Sequence, residues 1–324
     1  MNGISVVICC YNSSKRLATT FDYLYKQKDT PFKWEVIVVD NNSKDNTGEV
    51  AIKLWDEYKT EIPLVSVFEK TPGLSEARKK GVFCAKYDII IFCDDDNWLE
   101  ESYLANSYRI MTLNNKIGIC GGKGIPFFET QPPEWFNYFS RSYALGEQGV
   151  GEGKTKCMWT FGAGMIIRKN AIIKIYEYNN ISVLSDREGD KLTSGGDSEI
   201  RLLVEMLGYD VWYSPKLVFK HFIPKERLSL NYLVKLHAGF GESIVKLEPL
   251  ILVKLNYENS IKSNYWYVLF KHIKQFLKLY LFSSGIKRYI VLNETKVKIN
   301  TMLLSKSSWK IKVDGYVKFK KLII

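Results

Sequence analysis

The sequence predicts an α/β protein in which a mostly parallel sheet is flanked by helices and followed by a helical, basic C-terminal extension. Three observations predict this fold class. Short apolar runs typical of buried strands alternate with helical patterns through the first third of the chain. No apolar stretch is long enough to span a membrane as a helix. The surplus of basic residues is confined to the last part of the 324-residue chain.

The first elements alternate between strand and helix. Their order is a strand at 4–10, a helix carrying Leu17, Phe21 and Leu24 on one face, a strand at 35–39, a helix at 45–60, a strand at 64–68, a helix at 74–86 and a strand at 88–93. Strands separated by helices pair in parallel through right-handed crossovers, so these four strands are expected to form one parallel sheet.

The pattern is less regular after the fourth strand. The further predicted elements are strands at 116–123 and 159–168, a helix at 170–178, a helix from Gly195 to Leu207, and short strands at 210–213 and 217–220. Gly, Pro and aromatic residues dominate the long segment between the first two of these strands. A connection of this length inside a compact domain is usually a lid or a binding loop.

Positive charge is concentrated at the C-terminal end. Residues 231–324 contain 17 Lys and Arg against 5 Asp and Glu, whereas residues 1–230 contain 29 against 30. This asymmetry separates a globular domain at 1–230 from a basic region at 231–324. It favours a polyanion or an anionic membrane surface as a partner. A nucleic acid is not expected, because no nucleic-acid-binding module accompanies the charge.

The basic region contains one amphipathic segment, at 265–282. Helical spacing puts lysines on one face and apolar side chains on the opposite face. The first face carries Lys271, Lys274, Gln275 and Lys278, and the second carries Trp266, Leu269, Ile273, Phe276 and Tyr280. Two interpretations remain open: the helix lies in a membrane interface, or its apolar face packs on the rest of the protein.

Cysteine usage and the N-terminus predict a cytoplasmic protein, attached peripherally at the inner face of the cell membrane if the basic region binds lipid. Six cysteines occur and none is in a CxxC pair. This pattern favours buried, reduced thiols over a disulfide or zinc framework. The N-terminal residues lack the basic and small-residue features of a signal peptide.

The most informative feature is the run of three aspartates, Asp94, Asp95 and Asp96, directly after the apolar run at 89–93. Acids at this position lie where a strand leaves the sheet, in the crevice where open α/β sheets bind ligands. Crowded carboxylates raise one another's pKa and oppose ionisation, and a divalent cation removes that cost. The run therefore predicts a hard-cation site that holds an anionic ligand, with a diphosphate as the best candidate.

Two common nucleotide-binding classes are excluded by the residues after the first strand and by the motifs of the whole chain. The first strand leads into the sequence YNSS rather than a glycine-rich fingerprint, so a dehydrogenase is not expected. A Walker A sequence is also absent. The remaining polar residues fit group transfer from a nucleoside diphosphate better.

Residues at other strand and helix ends supply the further groups that such a transfer needs. Asp40 closes the second strand and could bind a base or ribose. Asp94 and Asp96 could share one Mg²⁺ or Mn²⁺, with His221 completing the coordination. Asp197 follows two glycines at a helix start and could take a proton from an acceptor hydroxyl. Alternatives stay open, since Asp197 also suits a helix N-cap and His221 suits a structural role.

Two tryptophans are candidates for stacking on an acceptor sugar. Trp135 lies beside two prolines in the long connecting segment, and Trp159 lies near its end. An aromatic face is apolar enough to meet the C–H face of a pyranose. For Trp159, packing in the core is an equally good interpretation.

Seven segments, in order from Ser5 to Ser229, resemble the inverting family 2 glycosyltransferases of the GT-A fold. They are SVVICCYNSSKRL, EVIVVDNNSKDNT, GLSEARKKG, IIIFCDDDNW, FGAGMIIRK, GGDSEIRLLVEMLGYDVWYSP and VFKHFIPKERLS. The resemblance implies a Rossmann-like sheet, a nucleotide-sugar donor and a single displacement at the anomeric carbon. It also divides the domain at 1–230 into a nucleotide-binding half at 1–115 and an acceptor-binding half at 116–230.

The resemblance assigns roles to individual residues. Tyr11, Asp40 and Arg78, with Asp94 and Asp95, would hold the nucleotide. Asp94 and Asp96 match the DxD metal motif, and His221 matches a late metal-binding histidine found in some members. Asp197 matches the catalytic base.

Three positions depart from the family pattern. Asn41 stands where a second aspartate is frequent, and Lys79 replaces a common asparagine. The usual acid before the base is Gly196, which leaves Glu199 as an alternative base.

The sequence thus predicts a metal-dependent transfer of a sugar to a saccharide or lipid-linked saccharide acceptor in surface polysaccharide synthesis, with a UDP-sugar as the expected donor. Two rival functions are a nucleotidyltransferase that makes sugar nucleotides and a non-catalytic, membrane-associated scaffold.

Overall fold

The computed structural model describes residues 2–157, 159–178, 184, 192–282 and 284–323. Within them, strands form one nine-stranded sheet that has helices on both faces. The strands are β1 Ile4–Cys10, β2 Trp34–Asp40, β3 Leu64–Phe68, β4 Ile89–Asp94, β5 Asn97–Leu99, β6 Ile117–Phe128, β7 Gly153–Lys154, β8 Ile166–Arg168 and β9 Asp210–Ile223. The helices are α1 Leu17–Tyr25, α2 Thr47–Glu57, α3 Leu74–Cys84, α4 Tyr103–Leu113, α5 Phe136–Phe139, α6 Lys169–Glu177, α7 Gly196–Met206, α8 Leu230–Lys254, α9 Tyr265–Phe282, α10 Gly285–Leu304 and α11 Lys306–Ile323.

The first half of the sheet is parallel, in the order β3-β2-β1-β4. Almost every side chain of β1 and β2 is buried, as expected for strands covered by helices on both faces. In this register Cys10 pairs with Asp40, and Cys9 pairs with Asp94. The C-terminal ends of β1, β2 and β4 therefore lie side by side at one edge of the sheet.

The second half of the sheet contains both strand directions. β8 pairs antiparallel with β4 and with β6, and β6 pairs parallel with β9. The short strands β5 and β7 pair antiparallel with β9. The prediction of an α/β fold is confirmed. The parallel half of the sheet is formed by the part of the chain in which predicted strands and helices alternate most regularly.

Three of the predicted strands differ clearly from the observed ones. The strand predicted at 159–168 is reduced to Ile166–Arg168, since Gly164 has a φ of +66° and Tyr103 Oη donates a 2.5 Å hydrogen bond to its carbonyl oxygen. The two strands predicted at 210–213 and 217–220 form one strand, β9. Its pairing with β6 shifts register between Gly121 and Lys123, opposite Pro215, so a bulge accommodates the proline.

The C-terminal helices are part of the main core. One cluster of buried side chains joins Val7 and Leu203 of the sheet-and-helix body to Leu250 of α8, Val268 of α9 and Phe319 of α11. Residues 231–324 thus share a core with the sheet, which is the packing interpretation offered for this region. None of the described helices is both long enough and apolar enough to cross a membrane.

The predicted apolar face of 265–282 is only partly the packed face. Leu269 is buried, and Ile273 and Phe276 are partly buried. Trp266 and Tyr280, which were predicted on the same face, are more than half exposed. Tyr265, Val268 and His272 complete the buried face instead.

All six cysteines lie within the described residues, and none forms a disulfide there. Cys10, Cys93 and Cys120 are buried as expected, whereas Cys84 is exposed. Cys9 and Cys157 are partly buried.

Candidate active site

Three of the predicted site residues stand in a row at the C-terminal edge of the parallel strands. Asp40 ends β2 and Asp94 ends β4, while Tyr11 directly follows the central strand β1. Tyr11 is about half exposed, and both aspartates are partly exposed. Strand order and register together place these residues at the edge where open α/β sheets bind ligands.

The loops after β1 and β2 are joined by side-chain hydrogen bonds. Ser43 Oγ accepts from the backbone N–H of Asn12 at 2.9 Å, and Thr47 Oγ1 accepts from that of Ser13 at 2.9 Å. Asp40 supports the same turn, because its Oδ1 accepts from the N–H of Ser43 at 2.9 Å. These bonds hold the two loops together and fix the position of the Asp40 carboxylate.

Asn41 stands where the family pattern often has an acid, and its side chain donates hydrogen bonds that a carboxylate cannot donate. Its side-chain amide donates to the carbonyl oxygens of Glu69 at 3.2 Å and Thr71 at 2.7 Å. Its Oδ1 accepts from the N–H of Gly73 at 2.8 Å, immediately before α3. A carboxylate has no donors for the two carbonyls, so the chain before α3 depends on the amide.

Asp95 is paired with a residue that the sequence analysis did not single out. Arg16 Nε donates to Asp95 Oδ2 at 2.8 Å, and Nη2 lies 2.5 Å from the same oxygen. Burial and the neighbouring charge of Asp96 raise the pKa of Asp95, and Arg16 opposes that shift. The pair brings the segment after β1 against the segment after β4.

Asp96 is the centre of a second ion-pair cluster. It is buried, and its Oδ2 lies 2.9 Å from Nη1 of Arg227. Its Oδ1 lies 3.6 Å from Nε2 of His221, and Arg227 Nη1 lies 3.3 Å from that same nitrogen. Arg227 was not predicted as a site residue, although it belongs to the segment VFKHFIPKERLS, which resembles the family.

His221 is oriented by a backbone group of the long connecting segment. Its Nδ1 lies 2.7 Å from the carbonyl oxygen of Tyr143. A carbonyl oxygen can only accept, so Nδ1 carries a proton, and with Nδ1 as the donor the Nε2 lone pair accepts from Nη1 of Arg227 at 3.3 Å. Metal-binding histidines are commonly held by such a bond from the other ring nitrogen.

The donor atoms around this edge fit a divalent cation. Carboxylate oxygens with one imidazole nitrogen suit Mn²⁺, and carboxylates with water suit Mg²⁺. Among the described residues, no group of three or more His, Cys, Asp or Glu side chains is already arranged as a metal site. Arg227, which contacts both Asp96 and His221, neutralises the Asp96 carboxylate in this structure.

Asp197 and Arg78 meet at Gly162 of the FGAG segment. A Cβ atom at Gly162 would lie 2.5 Å from Arg78 Nη2 and 3.3 Å from Asp197 Oδ2, so the missing side chain leaves room for both groups. Burial raises the pKa of Asp197, while Arg78 and the N–H groups of Ser198 and Gly162 act to lower it. Arg78 is itself buried, with its guanidinium 5.4 Å from the ring centre of Phe92.

The alternative role of Asp197 as a helix N-cap does not apply. Helix α7 begins at Gly196, and its N-cap residue is Gly195, which has a φ of +114°. Asp197 lies in the first turn, where its Oδ1 accepts a 2.7 Å bond from the N–H of Ser198. A negative charge is favoured in the first turn by the partial positive charge of the helix N-terminus.

Glu199, the alternative base, faces the C-terminal helices. It is fully buried, and its Oε1 accepts a 2.8 Å hydrogen bond from Tyr316 Oη of α11. Its Oε2 accepts from the backbone N–H of Leu184. The carboxylate therefore links α7 to α11, and this use disfavours a role as base.

Cys9 shows that the Asp197 region and the acidic run belong to one edge of the sheet. Burial raises the pKa of this thiol to about 12, Arg78 acts to lower it, and Asp94 and Asp95 act to raise it further. The thiol thus lies within electrostatic reach of Arg78 and of both aspartates, near the end of β1.

The chain also matches a known family model. Residues 5–175, more than half of the sequence, match the model described as glycosyl transferase family 2. The chain belongs to glycosyl transferase family 2. The matched range includes the acidic run, Asp40 and Gly162, and it ends before Asp197.

Curated relatives of this family 2 chain are glycosyltransferases. It is 37% identical over 99 residues to dolichyl-phosphate beta-glucosyltransferase of Homo sapiens, a match that covers 29% of this chain and 31% of the relative. It is 30% identical over 142 residues to poly(ribitol-phosphate) beta-glucosyltransferase of Bacillus spizizenii, covering 40% of this chain and 22% of the relative. Each match spans about a third or less of the relative's own length.

Solved structures with the same fold cover almost the whole family 2 chain. The mannosyltransferase PcManGT from Pyrobaculum calidifontis, in complex with GDP-Man and Mn²⁺, aligns with a TM-score of 0.54 at 16% identity and covers 98% of this chain and 86% of that one. TarS 1–349 of S. aureus, in complex with UDP-GlcNAc, aligns with a TM-score of 0.52 at 15% identity, covering 98% and 90%. This likeness confirms the GT-A fold.

The two predicted acceptor tryptophans lie on the segment between β6 and β8. Trp135 is partly buried against the rings of Phe136 and Phe139. Trp159 is exposed, and its carbonyl oxygen accepts from the thiol of Cys157 at 3.0 Å. Core packing, the alternative for Trp159, is therefore not its role, and stacking on an acceptor stays a prediction for both residues.

Proposed function

We propose that this chain is an inverting glycosyltransferase that moves a sugar from a nucleoside diphosphate sugar to a saccharide or lipid-linked saccharide acceptor in surface polysaccharide synthesis. The observation that carries the proposal is the meeting of two kinds of group at one sheet edge. The candidate metal ligands Asp94 and Asp96 lie at the end of β4, and a buried carboxylate with a raised pKa, Asp197, stands beside Arg78. Family membership favours sugar transfer over the two rivals, a nucleotidyltransferase and a non-catalytic scaffold.

The donor would bind across the row of strand ends. Tyr11 and Asp40 would contact the nucleoside, because the joined loops after β1 and β2 hold them at the open edge. Arg16 and Arg227 supply positive charge beside the acidic run, which favours a diphosphate there. A UDP-sugar is the expected donor.

Asp94, Asp96 and His221 would hold Mn²⁺ or Mg²⁺ at the diphosphate. When bound, the cation would stabilise the charge that grows on the departing nucleoside diphosphate. The Tyr143 carbonyl keeps Nε2 of His221 directed towards Asp96.

Asp197 would act as the general base. Its raised pKa makes it a better proton acceptor than an ordinary aspartate, and Arg78 keeps it ionised. The acceptor hydroxyl gives its proton to the Asp197 carboxylate, and its oxygen attacks the anomeric carbon from the face opposite the diphosphate. The bond from that carbon to the diphosphate breaks, and its electron pair leaves with the nucleotide.

A panel of nucleotide sugars tests the proposal. Release of nucleoside diphosphate is measured with Mn²⁺, with Mg²⁺ and with a chelator, and pyrophosphate release from nucleoside triphosphates is measured in parallel. We expect metal-dependent release of nucleoside diphosphate from one donor class. Pyrophosphate release would instead favour the nucleotidyltransferase, and no turnover or donor binding would favour the scaffold.

Matched variants locate the chemistry. Asp197→Asn should retain donor binding and lose about 10²- to 10⁴-fold in transfer, the usual contribution of a general base. Asp96→Ala should lose metal-dependent turnover, and the exposed Asp56→Asn serves as a control for the change in charge. A dead Glu199→Gln variant with a normal melting temperature would move the base to Glu199.

A further inference from the structure

Helix α9 has two exposed stripes beside its packed face. The packed face consists of Tyr265, Val268, Leu269 and His272. At 100° per residue, an adjoining arc of about 60° carries four exposed apolar side chains. They are Trp266, Phe270, Leu277 and Leu281, which are 59%, 67%, 54% and 69% exposed.

The second stripe is basic. Lys274, Lys278 and Lys271 follow the apolar stripe in order around the helix, and all three are exposed. Lys271 also forms a 2.9 Å ion pair with Glu248 of α8, which fixes its stem along the helix surface. No acidic residue occurs between Tyr265 and Tyr289, so nothing on this segment offsets the lysines.

The apolar stripe continues around the end of α9. Phe282, the last residue of the helix, is 81% exposed, and Tyr289 on α10 is also exposed. Arg288 lies 4.8 Å from the ring centre of Tyr280, so the start of α10 adds aromatic and basic groups to the same surface. An apolar patch of this extent is rare on the free surface of a soluble protein and marks an interaction site.

We propose that this face of α9 and the start of α10 dock on a lipid surface that contains anionic headgroups. Aromatic and leucine side chains beside lysines are the composition of helices that lie in a membrane interface, with the apolar stripe in the acyl boundary and the lysines at the headgroups. A second copy of this chain fits less well, because residues 231–324 carry 17 basic against 5 acidic residues and would repel their like.

Vesicle binding of the full chain tests the docking surface directly. Flotation with vesicles of phosphatidylcholine, with and without phosphatidylglycerol, is measured at low and high salt without donor or acceptor. We expect binding to the anionic vesicles that weakens with salt. Because neither substrate is present, the outcome does not depend on the proposed sugar transfer.

Two variant pairs identify the surface. The double variant Lys274→Gln, Lys278→Gln should bind anionic vesicles about fivefold more weakly for each lysine removed. The control is the double variant Lys53→Gln, Lys59→Gln, which makes the same change in charge on α2 and just after it and should leave vesicle binding unchanged. Phe270→Ser with Leu281→Ser should weaken it at least about tenfold, and the exposed Leu113→Ser of α4 should not. Melting temperatures confirm that each variant folds.

Several outcomes would overturn the proposal. These are equal binding by wild type and both patch variants, equal binding to neutral and anionic vesicles, and no vesicle binding at all. A concentration-dependent dimer that the Phe270 and Leu281 changes abolish, without lipid binding, would assign the face to a second copy instead.

Discussion

Arg227 forms a 2.9 Å ion pair with Asp96, the second acid of the predicted metal motif, and it also contacts His221. One guanidinium therefore contacts two of the three predicted metal ligands, and it neutralises the charge of Asp96. A cation that binds Asp96 has to share this carboxylate with Arg227 or displace it. The protein's own arginine would thus compete with a metal ion for Asp96.

Arg227→Gln should tighten the binding of Mn²⁺ in the absence of nucleotide. Removing the competing charge leaves the buried Asp96 carboxylate in need of a cation, and we expect about a tenfold gain, equivalent to about 1.4 kcal/mol. Calorimetry with Mn²⁺ alone measures it. Arg109→Gln, which removes an arginine paired with Glu152 outside the site, is the control. Unchanged or weaker Mn²⁺ binding by Arg227→Gln would contradict the competition.

The pH dependence of transfer should report Asp197. The base must be ionised to accept a proton, so kcat/KM falls as pH drops through its pKa, which burial raises above the ordinary 3.8. Arg78 acts to lower this pKa, so Arg78→Gln should move the acid limb to higher pH. Lys80→Gln, two residues along α3, should leave the limb in place. A limb that moves to lower pH would rule out this pairing.

Gly162→Ala should act through the same pair. The new Cβ would lie 2.5 Å from Arg78 Nη2, and the end of that side chain can move away, so the fold should be retained while the guanidinium is displaced. We expect the acid limb to shift as in Arg78→Gln. Combining the two changes should give no further shift, because both remove the same interaction. Additive shifts would show that the glycine has another role.

Asn41→Asp should destabilise the protein although it restores a residue frequent in the family. The acid loses two donors to the carbonyls of Glu69 and Thr71 at a partly buried site and places a charge against them, at a cost of about 1–3 kcal/mol. Urea unfolding measures the change. Asn106→Asp, at a partly exposed position of α4 whose amide makes only long bonds to Ser102 Oγ at 3.3 Å and to the Lys216 carbonyl at 3.4 Å, should cost less than half as much. Equal stability of Asn41→Asp and wild type would refute the structural role.

Tyr316→Phe should lower the free energy of unfolding by about 1–3 kcal/mol, because the buried Glu199 carboxylate loses a hydrogen-bond donor. Burial and Glu199 also raise the pKa of Tyr316 well above 10.0, so its stabilising effect is present below pH 10 and is lost as pH rises further. Thermal melts from pH 7 to 11 should show a smaller alkaline loss for the variant. Tyr138→Phe, at an exposed tyrosine, should behave like wild type.

Much of the parallel half of the sheet could be predicted from the sequence. The strands at 4–10 and 64–68 have the predicted bounds, because each is a short apolar run between turn residues. Asp40 and Asp94 were also assigned correctly to strand ends, since chain order and parallel pairing bring those ends together. The strand predicted at 159–168 was too long because Gly164 takes a left-handed backbone conformation outside a strand.

The partners of the site residues could not be predicted. Arg16 and Asp95 are 79 residues apart, and Arg227 and Tyr316 also contact the candidate residues Asp96 and Glu199 from distant parts of the chain. The local pattern of apolar and polar residues does not indicate such pairs, because these contacts depend on how the second half of the sheet and the C-terminal helices pack. The sequence offered one indication of such a partner, a basic residue inside a segment that resembles the family, as with Arg227 in VFKHFIPKERLS.

The bond between the Tyr143 carbonyl and His221 has a consequence for the order of events during a reaction cycle. Tyr143 packs on Phe136, and Phe136 on Trp135, so an acceptor sugar that displaced the Trp135 indole would also press on the residue whose carbonyl orients the imidazole. If Trp135 and His221 have the roles proposed for them, arrival of the acceptor would be felt beside the leaving group. Such an arrangement would let the enzyme keep its donor intact until both substrates are in place.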